Sequence, residues 1–149
     1  MGVLSGYRII ELSGIGPGPL CGVLFADLGA EVIRIDRKKT TLPNSKPKYD
    51  ITGRNKKSLS LNLKNAESLN VFNKLIKNAD ALIEGFRPGV TEKLGVGPDD
   101  CMKINPKLVY GRITGWGQTG PLSKVAGHDI NYIALAGALH SIGVIEKPT

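Results

Sequence analysis

Apolar and polar positions along the chain change period several times, and each change marks an element. Arg8-Ile9-Ile10-Glu11-Leu12 reads as a short strand. The stretch 13–19, rich in glycine and proline, cannot continue it, and a helix follows from about Pro19 to Leu28. Pro19 suits a first helical turn, and Gly29 suits the left-handed residue that closes a helix. Glu31-Val32-Ile33-Arg34-Ile35 is a second strand, rich in β-branched side chains. Strand, helix and strand in such close succession form a βαβ unit, which requires a parallel pair and a right-handed crossover.

A long basic connection, 37–57, carries Pro43 and Pro47, and structureless loops of that length tend to be functional or disordered. Ser58 to Leu63 alternates as a third strand would. Asn65 can cap a helix running to about Asn78, with Leu69, Phe72, Leu75 and Ile76 on one face. Ala81-Leu82-Ile83-Glu84 is a fourth strand, leading into Gly85-Phe86-Arg87-Pro88-Gly89, a short helix and a turn at 95–98. A further short helix ends at Asn105-Pro106, and Leu108 to Thr114 is a fifth strand. The glycine-rich loop 115–121 precedes an apolar run, Ile133 to Leu139, expected to be the body of a last helix. This alternation predicts an α/β fold: an open, mainly parallel Rossmann-like sheet flanked by helices. Ligands of such sheets bind beyond the carboxyl ends of the strands, which gathers loops 13–19, 37–57, 85–89 and 115–128 on one rim.

Length and charge sharpen this picture. The 149 residues suit one domain, 1–149, able to bury roughly 70% of its unfolded surface without disulfides or metal. Cys21 and Cys101 are far apart and match no zinc spacing, and His128 and His140 are the only histidines, so no metal site is expected. Neither a signal-peptide pattern nor a membrane-length apolar run is visible. The expectation is a soluble, intracellular chain with free thiols and no membrane span. The net charge of +7 is uneven: residues 34–77 hold twelve of the twenty basic side chains and only three acids. That bias suggests an anionic partner, the plain alternative being a solvated lysine-rich face. Tyr49 and Phe72 are the only aromatics in the stretch, so it offers no stacking platform and nucleic acid is not expected. A compact polyphosphate ligand fits better.

Two features carry candidate chemistry. His128 lies near a helix start, where free N–H groups and the helix dipole disfavour an added positive charge. A neutral imidazole held there can act as a general base; the bland alternative is that His128 and Asp129 merely cap the helix. Gly14-x-Gly16 after a strand, with Asp36 closing the next, imitates a dinucleotide fingerprint. Pro19 stands where the third glycine belongs, Pro17 removes an N–H, and Arg37 after Asp36 favours a phosphate over a ribose. NAD(P) binding is therefore the runner-up.

Several blocks together resemble the type III coenzyme A-transferase family, and within it the α-methylacyl-CoA racemase branch. They are 10–19, 27–37, 84–90, Gly115-Trp116-Gly117-Gln118-Thr119-Gly120-Pro121 and Ala126-Gly127-His128-Asp129-Ile130-Asn131-Tyr132. The resemblance implies an amino-terminal CoA-binding domain, a smaller domain absent from these residues, and an interlocked homodimer at full length. It implies that coenzyme A lies along the strand ends as part of an acyl-CoA thioester substrate, with no separate cofactor. Arg37, Arg54 and Arg87 would face its phosphates and Gly16 would lie near the acyl end. The implied reaction inverts the α-carbon of a 2-methylacyl-CoA thioester through an enolate, with His128 as one acid/base and Asp129 orienting it. The family's second catalytic group, an aspartate in a later glycine-rich segment, has no counterpart before Thr149. The chain is thus expected to bind coenzyme A without racemising alone. A CoA-transferase of the same family and a non-catalytic CoA-binding module are the alternatives. The resemblance leaves the compartment open: cytoplasmic in a bacterium, peroxisomal or mitochondrial in a eukaryote.

Overall fold

The computed structural model describes residues 2–37 and 50–142. The middle of the long basic connection, with Lys38, Lys39, Lys46, Lys48 and both its prolines, lies outside them, as does 143–149. The chain divides into two compact units, Met1–Ile113 and Thr114–Thr149.

The first unit is built on five parallel strands in the order β3-β2-β1-β4-β5. They are β1 (Arg8–Leu12), β2 (Glu31–Asp36), β3 (Lys57–Ser60), β4 (Ala81–Glu84) and β5 (Val109–Arg112). The helices are α1 (Pro17–Asp27), α2 (Ala66–Lys77), α3 (Val90–Lys93) and α4 (Pro98–Ile104). The order reverses at β1, because β1 to β3 grow outward one way and β4 returns to the other side. Right-handed crossovers in opposite directions must place their helices on opposite faces. One buried cluster, Ile9, Ala26, Ala30, Val32 and Ile83, accordingly joins α1 to one face. A larger one, including Ile10, Leu12, Ile35, Phe72, Ile76, Leu82, Val96 and Cys101, joins α2 and α4 to the other. Covered on both faces, β1 and β4 read as continuous apolar runs rather than alternating ones.

The predicted elements all form, with shifted ends. α1 begins at Pro17, two residues before the expected start. It ends as expected, with Gly29 at φ 99°. Asn65 caps α2, its Oδ1 accepting the N–H groups of Glu67 (2.8 Å) and Ser68 (3.3 Å). The third strand stops at Ser60 instead of Leu63, because Leu61 turns into the core and Asn62 Oδ1 accepts the Lys64 N–H in a turn. The fifth strand is likewise shorter than expected.

In the second unit a loop leads to α5 (Asp129–Leu135) and a 3-10 turn, Ala138–Ser141. The helix body expected to run through Leu139 instead ends at Leu135. Gly137 adopts φ 79°, a left-handed conformation that ends the helix after two turns. Among the described residues, no helix is long and apolar enough to cross a membrane.

Candidate functional site

At the carboxyl ends of β1 and β2, and the turn after β3, the first unit opens into a cavity of about 550 Å³. Its floor is apolar: Leu12, Ile35, Leu61, Leu63, Phe86 and Leu94. Ser13, Asp36, Arg37, Asn62 and Lys64 supply its polar lining. This is the reversal point of the sheet, where adjacent crossovers diverge to opposite faces and leave a crevice between them. An apolar slot edged by an arginine and a lysine can take a flat, uncharged ring inside and anionic groups at its mouth.

Each wall has a local cause. Arg37 follows the last residue of β2, and its guanidinium carbon lies 5.9 Å from the centre of the Phe86 ring, a cation–π contact. Phe86 is held by the buried end of β4: Glu84, only 2% exposed, accepts the Phe86 N–H at 2.6 Å. The other Glu84 oxygen accepts from Arg112 Nε at 3.1 Å, straight across the β4–β5 pair. Burial pushes the Glu84 carboxyl up, against the Phe86 amide and Arg112, which pull it down. Asp36 accepts from Arg34 Nε (3.0 Å) and Ser58 Oγ (2.7 Å). That carboxylate is engaged where a dinucleotide reading would need it on a ribose.

The sequence-predicted residues are distributed as follows. Gly16 lies in the loop between β1 and α1 at φ 77°, ψ −123°, a conformation open to glycine alone, with open space where a side chain would stand. Arg87 follows Phe86 and is exposed. Arg54 is not in this group. It precedes β3, so it sits at the amino edge of the sheet, opposite the slot. There it pairs with Asp27, the last residue of α1, with Nε 3.3 Å from Oδ1. The rim expected to gather all of 37–57 thus includes its beginning and not its end. His128 and Asp129 belong to the second unit. His128 occupies the N-cap of α5, its N–H donating to Asn131 Oδ1 at 3.0 Å, and both side chains are exposed. Neither thiol offers a ready nucleophile: Cys101 is fully buried and pushed up to about 12 by that burial, and burial also raises Cys21.

Sequence reasoning missed Phe86, Glu84 and the Leu61–Lys64 wall. Glu84 had a signal, since an acid ending a strand otherwise wholly apolar has to be paired inside the fold. The wall had none, because alternation carried the strand assignment through it.

Fold and slot together define a parallel α/β domain with an apolar, basic-edged slot at its strand ends. The chain belongs to CoA-transferase family III, whose model matches residues 4–149. It is 49% identical over 141 residues to α-methylacyl-CoA racemase of Mus musculus, covering 95% of this chain and 35% of that protein. To succinyl-CoA:glutarate CoA-transferase of Homo sapiens it is 34% identical over 150 residues, covering 94% and 34%. A crystal structure of a CaiB/BaiF family protein from Brucella suis superposes with a TM-score of 0.89 at 30% identity, covering 99% of this chain and 43% of that one. The chain therefore spans about a third of the length of the curated relatives it matches, which include both a racemase and transferases.

Proposed function

We propose that the chain binds the nucleotide end of an acyl-CoA thioester in the strand-end slot and serves an α-methylacyl-CoA racemase. The observation that carries the binding half is the apolar slot with Arg37 and Lys64 at its polar lining. Three phosphates of coenzyme A would meet guanidinium and ammonium groups there, and Arg37 and Arg87 are the arginines best placed for them. Arg54, at the opposite edge, is withdrawn from that role. Coenzyme A is part of the substrate in this reading, and no further cofactor takes part.

For the reaction, His128 is the group proposed to take the α-proton, with Asp129 beside it in sequence to orient or tune the imidazole. The proton goes to the imidazole as the C–H electron pair forms a double bond to the thioester carbonyl carbon and the carbonyl π pair moves onto its oxygen, giving an enolate. Its return from an acid on the opposite face inverts the centre, and that acid is proposed to lie outside 1–149, in a longer, homodimeric protein. The reading is supported by the 49% identity to a racemase and by His128 itself. The transferase reading would need a nucleophilic carboxylate forming an acyl anhydride and then a CoA thioester.

The test is incubation with (2R)-2-methylacyl-CoA in deuterated water. Saturable binding, with α-deuterium incorporation that disappears in His128→Ala, is the expected result. Absence of CoA binding would overturn the reading. CoA transfer to an added carboxylate, without α-exchange, would replace it with the transferase.

A further inference from the structure

We infer that Glu84 is a positioning residue for Arg37, acting through the backbone of Phe86; this rests on the slot being the CoA site. Three links make the chain. The buried Glu84 carboxylate accepts the Phe86 N–H at 2.6 Å, which fixes the first turn of the loop leaving β4. That turn aims the Phe86 ring into the slot. The ring in turn lies 5.9 Å from the Arg37 guanidinium carbon. A ring beneath a guanidinium narrows the rotamers open to it, so the Phe86 ring helps to hold the cation at the slot mouth before any anion arrives.

Charge balance alone does not account for this carboxylate. Arg112 also pairs with Glu92 and donates to Thr91 Oγ1 at 2.9 Å. A second, buried carboxylate on the same arginine incurs a desolvation cost. It gains a use when its other oxygen orders the Phe86 loop. Arg112, in register with Glu84 across the sheet, holds the carboxylate in the rotamer that reaches the amide.

The test is a double-mutant cycle read as CoA affinity by calorimetry on the full 149-residue chain, with thermal melting as a check of folding. Glu84→Ala is expected to weaken CoA about tenfold, and to have less than about a twofold effect in an Arg37→Ala background, because its action passes through Arg37. Glu84→Gln keeps an acceptor for the Phe86 amide and is expected to stay within about threefold of the unaltered chain. Phe86→Leu leaves the buried carboxylate in place and removes only the ring. It is expected to lose about as much as Glu84→Ala, again only when Arg37 is present, and it decides the matter should Glu84→Ala fail to fold. A full loss that persists without Arg37, or unaltered affinity in Phe86→Leu, overturns the positioning role. If the unaltered chain binds no CoA, the slot assignment falls and this role with it. If it binds normally and the variants do too, only the positioning role falls.

Discussion

Lys56 Nζ donates to Glu11 Oε2 across 2.6 Å with both side chains about 1% exposed, directly beneath the helix residue Gly22. Lys56 also donates to the Pro19 carbonyl at 2.8 Å. It thereby ties β1, the first turn of α1 and the segment entering β3 at a single point. A side chain on Gly22 would overlap the Glu11 carboxylate, so the glycine is there to admit the ion pair. Burial pushes the Glu11 carboxyl up and Lys56 pulls it back down. Removing one partner leaves the other charged and unpaired, which costs about 3–5 kcal/mol. Lys56→Met is expected to lose stability on that scale in urea unfolding, while Glu11→Leu/Lys56→Met recovers most of it. A double variant no better than the single would show that the pair, and not the stranded charge, sets the cost. Gly22→Ala is expected to destabilise through the overlap alone.

The two arginines at the ends of the basic connection provide a contrast. Arg37 lines the slot, while Arg54 is paired with Asp27 at the other edge of the sheet. Hydrogen bonds to charged groups contribute about 1.5–3 kcal/mol, so Arg37→Ala is expected to weaken CoA by about ten- to a hundredfold. The loss should shrink as salt rises. Arg54→Ala is expected to bind CoA within about twofold of the unaltered chain. Equal losses in the two variants, measured side by side by calorimetry, would place the phosphates elsewhere.

That contrast also shows what the sequence could and could not tell. β1 and β4 were legible to the residue, because short apolar runs bounded by turn residues leave little freedom. Charge density along 34–77 was equally plain, yet it carries no information on which edge of the sheet each residue reaches. In a parallel sheet the residue after one strand and the residue before the next lie on opposite rims, and that alone separates Arg37 from Arg54. The last helix overran in the sequence reading because Ala134 to Leu139 stays apolar and small through Gly137, whose positive φ ends it. His128 at a helix start was readable from the glycine before it, whereas its partners in space depend on the fold.

Stability against pH should bend, because its carboxylates are shifted in opposite directions. Burial raises Glu84 above its ordinary value of 4.5, so its native form holds the proton more tightly than the unfolded chain. The stability it contributes is present below 4.5 and is lost as pH rises through its folded value. Lys57 and Arg8 hold Glu31 below the usual carboxylate range, and Thr52 with Arg34 does the same for Asp50. Their contribution is present above their unfolded values and is lost as pH falls through their folded ones. The melting temperature is therefore expected to hold or rise slightly from pH 7 toward about 5 and to fall below about 4. Glu84→Gln should reduce the slope of the upper part of that curve, Glu11, raised by burial in the same way, keeping the remainder, and leave the acid fall intact. A steady decline from pH 7 with the same slope in both proteins would contradict these assignments.

Within the second unit, Tyr132 is gripped by two glycines. Its ring meets the single tryptophan, Trp116, edge-on, with centroids 4.8 Å apart and planes at 65°. A Cβ on Gly127 would stand 2.7 Å from Tyr132 Cε1 and 2.9 Å from Trp116 Nε1, and one on Gly115 would overlap the Tyr132 hydroxyl. Neither glycine is held there by a left-handed backbone, so close approach is the reason for both. Gly127 directly precedes His128, which makes the same substitution a probe of the α5 cap. Overpacking of this kind costs about 1–3 kcal/mol. Gly127→Ala is expected to part the two rings, shifting Trp116 emission toward longer wavelength and lowering the melting temperature. Tyr132→Ala in that background removes the obstructing ring and should restore part of the melting temperature without restoring the emission. An unshifted Trp116 spectrum in Gly127→Ala would mean that the loop can accommodate a methyl group there, and the tight packing would not be what fixes His128 at the helix start.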